Sequence, residues 1–397
     1  MTPIAVGATA VSLALYAAMM ALFVRAMLRR RPPEVRAARR AGPGSPRVSI
    51  LKPLSGRDDE LDENLDSFAA IAYPDFEVLL GVASLGDPAH EVAQRFAARH
   101  PGLAVRIVLT DPGAAVNPKV AQLIGLERGA TGDVYVISDS NVRVGPAYLW
   151  ALVDELADPR VGLVTSLFAG AGERTLGAAL ENLQLCVSSA PGYVAMNAVA
   201  WRPLTVGKSM AMRRADLAAL GGFAPVGDVL AEDHALGRRF LDAGFLVRTS
   251  LETVENRNVA CSILRTLERH TRWSKLRRAL KPSAFAVEPM LTPVVVGSAA
   301  LVVAPGTVTA ALLGAACVLQ MGCAMLAVRV LRGRWLGWWY MPLEVARSYL
   351  AFFCWLRACG SRRIEWRGHT FLLTRGSVIV RAPVAPERSA RGAGVAA

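Results

Sequence analysis

Val134-Tyr135-Val136-Ile137-Ser138-Asp139-Ser140-Asn141 couples a short β-branched and aromatic run to an acidic turn. The run reads as a buried strand, and it sets Asp139 at the strand's carboxyl end, the edge at which open α/β sheets bind ligands. Similar runs precede it at 48–51, 76–82 and 105–109, separated by helical patterns at 60–69, 88–99 and 120–128. This alternation predicts an α/β domain around a mostly parallel sheet whose first half is a nucleotide-binding unit. Further strands are expected at 161–166 and 245–250 and further helices at 214–220 and 232–243, so this α/β domain is expected over 47–281.

Outside that domain the chain turns apolar. Its 397 residues are 53% hydrophobic, too apolar for a purely soluble protein of that length. Residues 4–24 carry no charge and are long enough for the roughly 20 residues that a spanning helix needs. Arg25, Arg29, Arg30 and Arg31 follow at once, which predicts an uncleaved anchor (1–24) whose following segment is cytoplasmic. Residues 25–46, rich in Arg, Ala, Gly and Pro, read as a linker. The apolar stretch 288–328, broken at Pro305-Gly306, predicts a transmembrane hairpin. Residues 337–357 form a third apolar helix interrupted by Glu344 and Arg347. A full crossing would place Arg357, Arg362, Arg363 and Arg367 outside, so a re-entrant or interfacial helix is expected, followed by a basic cytoplasmic tail over 358–397.

The formal net charge of +13 suits nucleic acid, an anionic membrane surface or phosphorylated small molecules. No nucleic-acid module is present, and Arg-edged apolar segments favour the lipid bilayer together with a diphosphate ligand, so nucleic acid is set aside as a partner. The six cysteines form no CxxC pair, which argues against a zinc site or a disulfide framework.

Several segments carry side chains suited to chemistry on a diphosphate. Lys52-Pro53-Leu54-Ser55-Gly56-Arg57-Asp58 puts Asp58 in the first strand-to-helix loop, a contact for a base or ribose. Asn117-Pro118-Lys119 opens a helix, where Lys119 and the helix N-terminus both offer positive potential to a phosphate. Asp139 is the candidate metal ligand, with Asn141 and Lys208 as possible supports. Glu232-Asp233-His234 begins a helix, and Arg269-His270-Thr271-Arg272-Trp273 lies on another, followed by Lys275, Arg277 and Arg278. Taken singly, each has a plainer explanation: acidic residues cap turns and helix starts, and a basic helix face lies against anionic lipid.

Together these segments resemble the inverting glycosyltransferases whose spaced aspartates precede (Q/R)xxRW, matched by Asp58, Asp139, Asp233 and Arg269-x-x-Arg272-Trp273. More narrowly the chain resembles the ceramide glucosyltransferase family, through Lys52-Pro53-Leu54, Asn117-Pro118-Lys119, Glu232-Asp233 and Arg272-Trp273 with Lys275-Leu276-Arg277. It departs from that pattern at Ala190-Pro191, where animal members have His-Pro, and at Asp139-Ser140-Asn141, where Asp-Ser-Gly is common. The resemblance implies a GT-A (Rossmann-like) cytoplasmic domain with an N-terminal transmembrane helix and a C-terminal membrane-embedded helical region, in a bacterial inner membrane. It implies transfer of glucose from UDP-glucose to ceramide with Mg2+ or Mn2+. Asp58, Asn117, Lys119, Asp139 and Arg269 would bind the donor, Asp139 would also bind the metal, and Asp233, Arg272 and Trp273 would be catalytic, supported by Asn141, Lys208, Glu232 and His234. The alternatives are a related lipid glycosyltransferase using another UDP-sugar or a hopanoid or diacylglycerol acceptor, and a non-catalytic nucleotide-sugar-binding membrane protein.

Overall fold

In a computed structural model, residues 1–30, 44–199, 203–366 and 369–381 are described. Most of the expected linker and the end of the expected tail lie outside them. The chain opens with α1 (Thr2–Leu28), then enters the alternation of β1 (Val48–Pro53), α2 (Leu61–Ala69), β2 (Phe76–Val82), α3 (Pro88–Arg99), β3 (Ala104–Leu109), α4 (Pro118–Gly129) and β4 (Val134–Ser138). After the short β5 (Val142–Arg143) come α5 (Tyr148–Leu156), β6 (Val161–Ala171), α6 (Leu176–Gln184), a π-helical turn (Leu185–Ser189) and α7 (Ala190–Val199). The domain is completed by β7 (Ser209–Arg213), α8 (Arg214–Ala219), α9 (Glu232–Asp242), β8 (Leu246–Arg257) and α10 (Ile263–Leu280).

The sheet runs β3-β2-β1-β4-β7-β6-β8-β5. β1, β2, β3 and β4 are parallel, as are β6 and β8, while β7 is antiparallel to both of its neighbours. Strand alternation sends Ile50, Val78 and Val136 to one face and Leu51, Leu79 and Ile137 to the other. The second face is closed by Val120 and Leu123 of α4 with Phe223 and Phe240. The first packs on Phe68, Phe96 and Trp150 and continues without a break to Tyr16 and Phe23 of α1 and Ala324 and Val328 further along. The catalytic-type domain and the apolar helices therefore share one core.

Beyond α10 lie α11 (Pro282–Val287), a 3₁₀ turn, α12 (Pro293–Val303), α13 (Thr307–Arg332) and α14 (Tyr340–Gly360). Among the described residues, α1 and α13 are long and apolar enough to cross a membrane. The hairpin expected over 288–328 has unequal arms: the 11-residue α12 rises only about 16 Å, about half the hydrocarbon thickness, and bends by 74° from the helical turns before it. α14 buries the two charges that interrupt it, with Arg347 and Glu344 paired at 2.6 Å, and exposes Tyr349, Phe353 and Leu356 on its other side.

Part of the expected tail is structured. β9 (Arg363–Trp366), β10 (His369–Leu373) and β11 (Ile379–Arg381) form a separate antiparallel sheet. Ile364, Phe371, Leu373 and Ile379 make its small core, against Leu230, Leu276 and Ala279 of the main domain. The apolar residues of 358–381 are few and interspersed with charge, so composition hid a strand pattern that docking makes useful.

The start of α10 is fixed by close backbone contact with α6. Thr175 caps α6 and donates to the Cys261 carbonyl at 2.7 Å, and a Cβ at Gly177 would collide with the backbone of Cys261 and Ser262. Gly177→Ala is expected to destabilise the protein by about 1–3 kcal/mol through overpacking. A lowered thermal midpoint in detergent checks it, and an unchanged midpoint would show that the α6–α10 junction yields without cost.

Candidate active site

An open cavity of about 1770 Å³ lies at the carboxyl edge of the sheet, bounded by the starts of α4 and α9, by α10 and by the C-terminal sheet. Its acidic centre is Asp139, placed by the end of β4. Both carboxylate oxygens are held: Lys119 Nζ stands 2.7 Å from Oδ1 and Lys208 Nζ 3.2 Å from Oδ2. Burial alone would raise the pKa of this carboxyl, but the two ammonium groups outweigh it and hold it at about 2. Asp139 is thus ionised at any physiological pH.

Lys119 also reaches Glu232 Oε1 at 2.8 Å, so one ammonium ties the end of β4 to the first turn of α9. Next to it, Asp233 is positioned by its backbone neighbours, accepting from Gly207 N at 2.6 Å and His234 N at 2.7 Å. Burial pushes the Asp233 carboxyl above the usual carboxylate range, against the pull of Lys119. A carboxylate whose proton affinity is raised is better matched to taking a proton near neutral pH.

The structure brings most of the expected residues to this cavity. Asp58, Lys119, Asp139, Asn141, Lys208, Glu232, Asp233, Arg269, Arg272 and Trp273 all line it. Asp58 accepts a hydrogen bond from Ser140, which draws the first loop against the Asp139 turn. Asn141 turns its carbonyl to Arg257 N at 2.8 Å. Trp273 is braced edge-on by His270, with ring centroids 5.1 Å apart.

Three expectations change. Asn117 is fully buried and off the cavity wall: its side chain caps α4, accepting from Lys119 N at 2.9 Å, and donates to Val229 O at 2.7 Å. Its role is to aim Lys119, since Pro118 and the Asn cap fix where the helix begins. Arg269 reaches the wall, but its guanidinium is paired with the buried Glu181 and donates to Asn258 Oδ1 at 3.0 Å, so its charge is spent on holding α10 to α6. His234 does not line the cavity and meets Asp233 through its backbone.

One residue was missed as part of the site. Lys52, at the end of β1, is completely buried beneath the Asp139 turn, donating to Asp139 O at 2.6 Å and Ser138 Oγ at 3.3 Å, with its ammonium 4.2 Å from the Phe68 ring centroid. Burial lowers its pKa to about 7. The signal was a lysine inside a strand otherwise buried on both faces, which had to find a partner at the strand's end.

Comparison with known proteins bears on the fold and the family. Ceramide glucosyltransferase 3 of Caenorhabditis elegans is 28% identical over 246 residues, which are 62% of this chain and 53% of that protein. A ceramide glucosyltransferase of Komagataella phaffii is 30% identical over 191 residues, 43% of this chain and 38% of that one. The chain thus spans about half, or less, of the length of these relatives. Among solved structures, a mannosyltransferase of Pyrobaculum calidifontis, in complex with GDP-Man and Mn2+, superposes with a TM-score of 0.53 at 20% identity, covering 89% of this chain and 99% of that one. The fold is therefore GT-A-like. Residues 8–379 match the model of one family, and the chain belongs to glycosyl transferase family 21.

Proposed function

We propose that the chain transfers glucose from UDP-glucose, with inversion, onto the primary hydroxyl of ceramide to make a glycosphingolipid. The observation that carries the reading is the single cavity in which Asp139, Lys119 and Lys208 stand beside Asp233 and the Arg272-Trp273 helix. A diphosphate needs fixed positive charge, and an attacking hydroxyl needs a carboxylate nearby. The curated relatives, named as ceramide glucosyltransferases, support the substrate pair.

In the proposed mechanism Asp58 seats the uridine, while Lys119 and Lys208 turn from Asp139 to phosphate oxygens as the donor arrives. Asp233 takes the proton from the lipid hydroxyl as its oxygen attacks the anomeric carbon and UDP departs from the opposite face. Arg272 offers a forked donor set to the leaving diphosphate, and Trp273 gives a flat apolar contact.

Among the described residues, no group of three His, Cys, Asp or Glu assembles a metal cage. The donor set nevertheless fits Mg2+ or Mn2+, because such ions commonly take one or two carboxylates and complete their shell with substrate phosphates and water. Asp139 is the residue that would hold the ion. When bound, the ion neutralises charge growing on the leaving diphosphate.

Two apolar helices fit an acceptor that cannot leave a bilayer cheaply, at roughly 0.8 kcal/mol per exposed CH₂. Arg25, Arg29 and Arg30 at the end of α1 favour a cytoplasmic catalytic domain, and a bacterial inner membrane is the proposed location.

Incubating the purified chain with a panel of UDP-sugars and with ceramide, diacylglycerol and hopanoid acceptors, then weighing the glycolipid by mass spectrometry, tests the substrate pair. A product from a different pair would overturn it. Asp233→Asn is expected to reduce transfer by at least about 100-fold while UDP binding, followed by calorimetry, survives. Equal loss of both would move Asp233 to donor binding. Asp139→Ala should remove the increase in UDP affinity produced by Mg2+ or Mn2+, and a metal effect as large as that of the unaltered protein would sink the assignment.

A further inference from the structure

We infer that the C-terminal sheet β9–β11 is a working wall of the cavity and that Trp366 within it is a specificity-determining contact for the lipid acceptor; this rests on the transferase reading above. The sheet bridges the two flanks that carry the acceptor-side groups. On one flank it hydrogen-bonds to the loop leading into Glu232 and Asp233, through Leu230 N to Ser377 O at 2.9 Å and Ile379 N to Asp228 O at 2.8 Å. On the other it is gripped by α10: Arg272 Nη1 donates to Glu365 O at 3.4 Å, Lys275 Nζ to Arg363 O at 2.7 Å and Arg278 Nη2 to Ser361 O at 3.2 Å. Arg272 is thus oriented partly by the backbone of a segment almost a hundred residues later.

The position of the sheet identifies what it meets. Asp58, Asp139 and Lys119 come from the sheet edge and the start of α4, the donor side. Another stretch of the lining comes from Arg357, Gly360 and Ser361, at the end of α14, and from Arg363, Ile364, Glu365 and Trp366 of β9. α14 exposes Tyr349 at 42%, Phe353 at 46% and Leu356 at 48%, an apolar face suited to lipid. The cavity lining thus includes the end of the helix that carries this apolar face as well as Asp233. An amphiphile with a polar hydroxyl head and long chains fits such a lining; a nucleotide sugar does not need it. Trp366 is half-buried: it packs against the small core of Ile364, Phe371, Leu373 and Ile379 and also lines the cavity, where a ligand can touch it. An indole has an apolar body and one N–H, which matches the junction between headgroup and chains.

The test uses the full chain in detergent with UDP-glucose and a short-chain ceramide. Trp366→Ala is expected to raise the acceptor KM by about tenfold, the scale of losing one aromatic contact, with the donor KM and the UDP dissociation constant unchanged. Trp366→Phe should restore most of the acceptor KM. If Trp366→Ala melts below the assay temperature, Trp366→Leu carries the same expectation. An unmoved acceptor KM, or donor and acceptor KM rising together, would overturn the inference alone, provided that the unaltered chain binds UDP. If the unaltered chain binds no UDP, the transferase reading falls and this inference with it.

Discussion

The Lys119 ammonium is the hinge of the site's electrostatics. The cavity gathers Asp58, Asp139, Glu232 and Asp233, and like charges a few ångströms apart repel by about 4 kcal/mol at an effective dielectric of 20. Lys119 relieves part of that repulsion by standing between Asp139 at 2.7 Å and Glu232 at 2.8 Å, and Lys208 takes the remaining oxygen of Asp139. Its reach depends on α4 starting where it does, which is fixed by Pro118 and the buried Asn117 cap. The same contact joins the two halves of the domain, because Asp139 follows the parallel strands while Glu232 follows the antiparallel β7.

The second constraint is the fusion of domain and apolar helices. Arg332, at the end of α13, pairs with Glu173 at 2.7 Å with both side chains nearly inaccessible, and Arg347 of α14 pairs with Glu344 and reaches Gln184 of α6. Buried ion pairs contribute little net stability because desolvation offsets attraction, but breaking one strands a charge. Their effect here is to fix orientation. α6 is held from the apolar side by α14 and from the domain side by α10, through Glu181 and Arg269. The orientation of α14 and that of the helix carrying Arg272 are therefore fixed through the same element, α6.

The first half of the fold was legible because its signal is local. Runs such as Val78-Leu79-Leu80 are buried on both faces and read as parallel strands from composition alone. The later strands were underestimated for a physical reason. β8 extends beyond the expected 250 to Arg257 through Glu252 and Glu255, polar residues that a single-sequence pattern assigns to a loop, and pairing with β6 and β5 carries the strand through them. β7 and the helices at Tyr148–Leu156 and Leu176–Val199 were passed over likewise, because apolar runs of that length fit strand and helix equally. The C-terminal sheet was hidden by its Arg content, since its four core residues make sense only against Leu230, Leu276 and Ala279.

For the site, sequence order and local placement were sufficient where the backbone alone fixes a side chain. Asp139 ends a strand and Asp233 begins a helix, and both meet in the cavity as those placements require. Spacing was a weaker guide to what each charge does. Arg269 and Arg272 are three residues apart on one helix, hence nearly on one face, and both reach the cavity wall. Yet one guanidinium is committed to Glu181 and the other contacts the backbone of Glu365, partners 88 residues before and 93 residues after them. A buried carboxylate captures the nearest arginine because leaving it unpaired is costly, and Glu181 therefore decides what Arg269 does. Both partners lie far from the motif along the chain, so what holds each arginine is invisible in the motif itself.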